Sequence, residues 1–454
     1  MIERPMLLGK KAAQGTNAMN YIRSGTFKSG TATNVDQGVS ASVAGLDASL
    51  AFYQGTESDF TLNGTARSEV FAYYLKVGSN AGYRFDGVLV INAGGGNDLV
   101  DLTNSANPYP HDVTVDGGAG NDTIWSGPGA DELIGGADSD SIWGGGGDDI
   151  IDGGDRYSGG YDDKLDSLYG GGGEDTIYGS NGDTIAGGTE NDLINVRAAS
   201  EDGILEGSIS GGAGYDEFQW NGDLGLSGYP STELSGVELI NLNFGSIFAA
   251  EPGTAVNFDF TDVDFLDVYG VNGSSAADTI KGPNSVSHSE GESPLVIAGN
   301  SGNDTITGGP EDEAIYGDAG QDLVKGGAGA DSIYGNDGYE GEVEANPAPD
   351  DLYGEAGADR FIFWRQFGDY ETIFDFEQGT DTIALYNYYY QGDEYYYYEG
   401  VELSFDLLEE LELITQYDSA FVQIDLRDFG GSILLVNGTV GNFAAEDFEI
   451  GSIG

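Results

Sequence analysis

Residues 117–152 read GGAGNDTIW SGPGADELI GGADSDSIW GGGGDDIID, four nine-residue lines without a gap. Each line sets an aspartate at its sixth position and a branched apolar residue at its eighth, and each is rich in glycine before them. Glycines at positions 1, 2 and 4 permit positive φ, so the chain can turn tightly with its carbonyls directed to one side. Positions 7–9 suffice for a short strand. Its central side chain (Ile124, Leu133, Ile142, Ile151) points inward and position 9 points out. A turn plus a short strand is half a coil, so two lines close one flattened coil. Glycines that cradle a phosphate would need a helix after the loop and a basic partner, and here a short strand and acids follow.

The spatial neighbour of each residue is then 18 positions away. Asp122 should align with Asp140 on one edge and Asp131 with Asp149 on the other, at the roughly 4.8 Å spacing of paired strands. Bare carboxylates so stacked repel. A hard divalent ion taking about 6–8 oxygens at roughly 2.3–2.6 Å, from aspartates and turn carbonyls of adjacent turns, resolves the repulsion. Calcium fits, and magnesium, with its tight octahedral demand and retained waters, fits poorly. One branched residue per nine makes a thin core against the entropy of ordering so much glycine. Ion binding should therefore supply much of the folding free energy, leaving the blocks disordered without calcium.

The register begins at AGGGNDLVD (93–101) and returns in GGGGEDTIY (170–178), GSNGDTIA (179–186), GGTENDLIN (187–195) and GGAGYDEFQ (211–219). A second block runs from the degenerate GSSAADTIK (273–281) through GNSGNDTIT, GGPEDEAIY, GDAGQDLVK and GGAGADSIY (299–334) to GEAGADRFI (354–362). Acidic insertions at 153–165 and 336–349 re-enter the register on Asp-x-Leu-Tyr-Gly, at Asp166 and Asp350. The candidate calcium ligands are Asp98, Asp122, Asp131, Asp140, Asp149, Asp166, Asp175, Asp183, Asp192 and Asp216 in the first part of the chain, and Asp304, Asp322, Asp331, Asp350 and Asp359 in the second. The candidate carbonyls are those of Gly118, Gly120, Gly127, Gly129, Gly145, Gly147, Gly171, Gly173, Gly327 and Gly329. Asp138 and Glu190 replace the glycine at position 4, and GGPEDEAIY carries Glu311 there and Glu313 at position 6, so calcium is least secure at those turns.

The sequence divides into an N-terminal β region with a basic arm (1–92), a first roll block (93–195), an intervening region of strands (196–272), a second block (273–360) and a C-terminal β-rich cap (361–454). The intervening region reads either as more solenoid or as a small sandwich. The expected fold class is an all-β, elongated parallel β-roll or solenoid. Among 454 residues there are 76 Gly, 78 acids and 16 bases, for a net charge of −62. That balance argues against nucleic acid and anionic membranes as partners of the acidic body. A hydrophobic content of 39%, placed periodically, argues against disorder of the whole chain. There is no cysteine, so no disulfide and no thiolate metal site. The N-terminal 30 residues lack the apolar run of a secretory signal, and no stretch approaches the ~18 apolar residues of a membrane span.

The lines resemble the repeats-in-toxin (RTX, hemolysin-type) nonapeptide, Gly-Gly-x-Gly-x-Asp-x-apolar-x, of calcium-binding β-roll proteins. Residues 357–385 resemble the region that follows the roll in serralysin-like proteins, through Asp375, Phe376, Gly379, Asp381 and Ile383. The tail ILLVNGTVGNFAAEDFEI resembles the uncleaved export end of the same families. The resemblance implies a bacterial protein exported unfolded by the type I secretion machinery, without an N-terminal signal peptide, to the cell surface or the calcium-rich exterior.

Enzyme signatures are missing: there is no His-Glu-x-x-His and no Gly-x-Ser-x-Gly. His111 and His288, the two histidines, read as ordinary loop residues. Trp125 and Trp143 share position 9 one coil apart, as do Tyr316 and Tyr334. They should stack on an outer face, either as surface cover or as an exposed stripe for glycans or a protein. The run YNYYYQGDEYYYYEG contains Tyr388, Tyr389, Tyr390, Tyr395, Tyr396, Tyr397 and Tyr398, read as adhesive or self-association contact or as cap packing. The preferred function is a non-catalytic, calcium-dependent structural or adhesive role, with glycans or further copies of the chain as partners. The rival is a carbohydrate- or polymer-active enzyme that carries the roll as a folding module.

Overall fold

A strand of a few residues with one inward side chain cannot fold alone and is stable only when stacked on others. The computed structural model has this architecture. It describes residues 88–103, 106–154, 164–197, 203–289, 294–335, 349–364, 370–386, 388–391, 394–397, 413–425, 433–438 and 443–451, with isolated residues and short strands between 30 and 83. Among these residues the protein is all-β, and the one helical turn is 3-10, at Ala445–Asp447.

The chain forms two compact units that divide within residues 201–238. In the first, two parallel ladders run side by side. One joins Val70–Ala72, Leu99–Asp101, Thr123–Trp125, Ser141–Gly146, Ser167–Gly172, Thr184–Thr189, Ser208–Ala213 and Leu234–Ser235. The other runs from Phe60–Asn63 through Val88–Gly95, Thr114–Ala119, Glu132–Ala137, Ile150–Asp152, Thr176–Ser180 and Leu193–Arg197 to Glu217–Gln219. Consecutive lines of sequence alternate between the ladders, so Ile124 pairs with Ile142 and Leu133 with Ile151. These four position-8 side chains are fully buried. Each contributes about 1.5–3 kcal/mol, a small return for ordering nine residues.

Many strands are longer than the three residues expected. Glu132–Ala137 and Ser141–Gly146 continue through the first glycines of the next line, and Gly136 pairs with Gly118. The glycine at position 1 is the reason. Gly117 does not take a positive φ. A Cβ there would stand 2.5 Å from Asp122 Oδ2 and 2.6 Å from the Gly135 carbonyl oxygen. At Gly117 glycine serves for space rather than for handedness, although Ala93 and Ser126 stand at this position in their own lines. Positive φ begins at position 2, with Gly118 at 100° and Gly120 at 114°.

The second unit repeats the arrangement. Asn257–Asp259, Thr279–Lys281, Thr305–Thr307, Leu323–Gly329, Asp351–Gly357 and Tyr370–Ile373 form one parallel ladder. Leu239–Ala249 pairs in parallel with Asp264–Asn272, and that ladder continues through Leu295–Ala298, Glu313–Tyr316 and Ser332–Tyr334 to Arg360–Trp364. Toward the C-terminus the pairing changes hand: Ile433–Asn437 lies parallel to Tyr370–Ile373 but antiparallel to Phe421–Asp425. Arg360 clamps the final strand, Phe448–Gly451, donating from Nε and Nη to both carboxylate oxygens of Glu449 at 2.7 and 2.6 Å. The basic arm falls outside the described residues, as does most of DLLEELELI (406–414). Its last residue, Ile414, begins a strand.

Insertions leave the stacking intact. The coil from Asp140 to Asp166 takes 26 residues rather than 18, yet Ser141 still pairs with Ser167 and Ile142 with Leu168. Deleting eight residues within 155–163 should therefore keep the strand signal in circular dichroism. Because loop-closure entropy grows slowly, the unfolding free energy should change by no more than about 1 kcal/mol.

Candidate calcium centre

The sixth position of each line lies at the foot of the turn, and its side chain folds back under the position-1 glycine. The space that a Cβ on Gly144 would fill is held by Asp149 Oδ2, and the same holds for Gly187 and Asp192 and for Gly299 and Asp304. All fifteen position-6 aspartates expected to bind calcium are buried, none more than 3% exposed. They form columns. Asp98, Asp122 and Asp140 each donate their backbone N–H to Oδ1 of the next acid, Asp122, Asp140 and Asp166, at 2.6–2.7 Å. Asp166 donates likewise to Asp183 at 2.8 Å. On the opposite edge Asp131, Asp149, Asp175 and Asp192 donate in turn to Asp149, Asp175, Asp192 and Asp216, at 2.8–2.9 Å.

In the second unit one column runs Asp278, Asp304, Asp322, Asp350 and then Glu371. The other runs Glu313, Asp331, Asp359 and then Asp381. Asp278, Glu313, Glu371 and Asp381 thus extend the columns beyond the aspartates read from the repeats. Asp278 and Glu313 sit at position 6 of lines whose glycines have decayed. Glu371 and Asp381 lie where the nine-residue rhythm has stopped, so spacing could not find them. The signal for Asp381 was the Asp-Phe-x-x-Gly-x-Asp-x-Ile likeness.

A second column escaped sequence reading altogether. Position 5 is often Asn or Asp, and its side-chain oxygen accepts from the position-5 N–H of the following coil. Asn97 accepts from Asn121, Asp148 from Glu174, Asn191 from Tyr215 and Asp312 from Ala330, at 2.7–3.2 Å. It runs with polarity opposite to the position-6 column.

The second oxygen of each position-6 carboxylate separates the turns into two kinds. Oδ2 of Asp122, Asp149, Asp175, Asp192, Asp304 and Asp322 is buried with no hydrogen bond among the described residues. At other turns a serine or a backbone N–H takes that oxygen. Ser126 Oγ donates to Asp131 Oδ2, and Ser180 N to Asp183 Oδ2 at 2.7 Å. Ser274 N donates to Asp278 Oδ2 at 2.5 Å and Glu377 N to Asp381 Oδ2 at 2.8 Å. Neither Gly127 nor Gly129 at the Ser126 turn is left-handed. Asp138 and Glu190, by contrast, keep the left-handed turn at φ 75° and 77°, so this turn is preserved where glycine is missing.

An ionised carboxylate oxygen that is buried and unbonded is costly, and burial shows in the proton affinities. Desolvation, reinforced by neighbouring acids, pushes the pKa of Asp122 up to about 7, Asp149 to about 8, Asp192 to about 7 and Asp322 to about 9. Among the described residues no three acidic or imidazole side chains converge on one point. A cage here would combine a carboxylate oxygen from each turn with backbone carbonyls. That donor set is all hard oxygen, and it suits calcium rather than a transition metal.

The aromatic stripe differs from the sequence expectation. Trp125 is fully buried rather than exposed. Its strand lies between Leu99–Asp101 and Ser141–Gly146, and nearby Tyr73 and Tyr109 are both buried and packed edge to face at 4.8 Å, with Tyr109 against Gly127. Trp143 is half-buried, edge-on to Trp125 and stacked at 5.0 Å on Tyr169. Tyr316 and Tyr334 stack at 4.2 Å and are also half-buried. In the tyrosine-rich run, Tyr388–Gln391 pairs antiparallel with Glu394–Tyr397, while Tyr398 lies outside the described residues.

Five stretches, 112–133, 125–155, 162–183, 296–324 and 316–338, match the family model of the RTX calcium-binding nonapeptide repeat. No curated protein is similar to the chain as a whole. The matched stretches contain both kinds of turn and lie in both units.

Raised carboxyl pKa values mean that the metal-free fold holds protons which the unfolded chain has already lost. Its stability should therefore be greatest near pH 4 and fall as pH rises through about 6 for Asp304 to about 9 for Asp322. In EGTA, strand content is expected to increase on acidification from pH 8 to pH 5. Asp322→Asn should extend that metal-free stability to higher pH while weakening calcium binding by at least roughly tenfold, both readable by titration calorimetry and urea unfolding. Asp138→Gly should add about 1 kcal/mol in calcium, because glycine takes the left-handed turn without strain, as measured by the urea midpoint.

Proposed function

We propose that this carrier of RTX calcium-binding repeats is a secreted or cell-surface protein with a structural and adhesive, non-catalytic role, folded by calcium. The observation that carries the reading is the set of buried, unbonded carboxylate oxygens at Asp122, Asp149, Asp175, Asp192, Asp304 and Asp322. A chain of net charge −62 that stacks its acids in columns has a fold whose stability tracks the ion. Such a protein is extended and soluble at low calcium, as export by a type I machinery requires, and rigid in calcium-rich surroundings. The ions are assigned to turns between unbonded carboxylates, and the serine-capped turns at Asp131, Asp183 and Asp278 hold calcium weakly or not at all.

The non-catalytic reading is supported by where the acids are. From Asp122 and Asp131 onward the column carboxylates form ladders engaged by the N–H of a neighbouring turn, rather than a facing pair in a cleft. Among the described residues no helix is long and apolar enough to cross a membrane. Partners are therefore sought at the surface: glycans or further copies of the chain.

Circular dichroism in excess EGTA at pH 7.5 should show loss of most strand signal, recovered on adding calcium and not on adding equimolar magnesium. Strand content unchanged in EGTA would remove the premise. Polysaccharide hydrolysis or epimerisation that is abolished by one acid-to-amide change would replace this function with the enzymatic one.

A further inference from the structure

In the second unit Leu239–Ala249 is interrupted by a bulge, at which Asn243 and Phe244 both take positive φ, 49° and 77°. A phenylalanine in the left-handed region is a genuine backbone outlier. Such strain persists only where the surroundings hold it, and it gathers at functional sites. Burial does not account for it here, because Phe244 is 48% exposed. The ring instead begins a column. Phe244 stacks on Tyr269 at 5.9 Å and 21°, and Tyr269 stacks on His288 at 4.4 Å and 19°.

The two lower rings are held for their planes. Asp267, itself left-handed at 53° and buried, accepts from Ser289 N at 2.7 Å and from Ser289 Oγ at 2.8 and 3.0 Å, fixing the residue next to His288. Both ring nitrogens of His288 are buried with no hydrogen bond among the described residues. The imidazole therefore serves through its face rather than its polar atoms. Beside the exposed ring lie two exposed amides, with Asn243 Nδ2 donating to Asn221 Oδ1 at 3.0 Å.

We propose that Phe244, backed by the stacked rings of Tyr269 and His288, forms a platform for an uncharged saccharide, with the exposed face of Phe244 receiving the C–H face of a sugar ring and Asn243 and Asn221 receiving its hydroxyls. An exposed aromatic plane beside amide donors and acceptors matches a ligand that is apolar on one face and hydroxylated at its edge. An apolar protein patch would find amides rather than an apolar rim. The acidity of the chain selects against uronate polymers and other polyanions. The platform rests on the adhesive reading above and gives it a ligand class. The two can fail separately, since cell attachment that survives loss of Phe244 would keep adhesion and discard the platform.

The test is calorimetric titration of the full, calcium-loaded chain with cellohexaose, laminarihexaose and chitohexaose, and with hexagalacturonate as the acidic comparison. At least one neutral hexamer should bind and hexagalacturonate should not. Phe244→Gly should weaken binding roughly tenfold or more, as removal of one stacking plane does, without lowering the melting temperature, because glycine adopts φ 77° freely. Phe244→Trp should retain binding. Absence of binding by all three neutral hexamers, equal binding of the galacturonate, or an unchanged affinity in Phe244→Gly would each overturn the proposal.

Discussion

Parallel strands stack at a fixed separation of about 4.8 Å, and this chain places a carboxylate at every step of that stack. Everything else in the rolls answers that constraint. The glycine at position 1 vacates the space the carboxylate needs, as Gly117 does for Asp122. The backbone N–H of one acid bonds the carboxylate of the next, so half of each charge is met by the fold itself. The other half is met by a serine or a backbone N–H at some turns and by no described residue at others, and those are the turns proposed to take calcium.

The rolls were legible in the sequence because the period of nine is written in residues that have few alternatives. Inward Ile124, Leu133, Ile142 and Ile151, the pairing 18 residues apart and the alignment of Asp122 with Asp140 and Asp131 with Asp149 all follow from that rhythm. Position 1 was misread because glycine has two virtues, and a sequence does not say whether handedness or smallness is being used. Trp125 was misplaced for a related reason. Trp125 is fully buried whereas Trp143, at the same position one coil on, is half-buried, so position in the line does not by itself fix exposure.

The acceptor Glu371 and the corner of Phe244, Tyr269 and His288 were hidden for the opposite reason, and Asp381 was marked only by its motif likeness. They occur where the repeat has decayed, and periodicity is silent there. The corner was marked only by dihedral angles and by stacking between residues 19 and 25 positions apart, neither of which has a local signature.

The columns also have direction. Each acid gives its N–H forward and receives a bond from behind, so a column resembles an α-helix in possessing one end short of donors and one short of acceptors. At the early ends of the columns that begin at Asp131 and Asp278 the donors are Val113 and Val256, residues without a carboxylate to shield. At the late ends of the second unit the missing acceptors come from Glu371 and Asp381. The segment after the roll thus acts on the column as a C-cap acts on a helix. A roll cut short on that side would end in an N–H with nothing to bond, whereas one cut short at its beginning would lose only a donor. The two ends of each roll are for this reason unequal places at which to shorten, extend or fuse the chain.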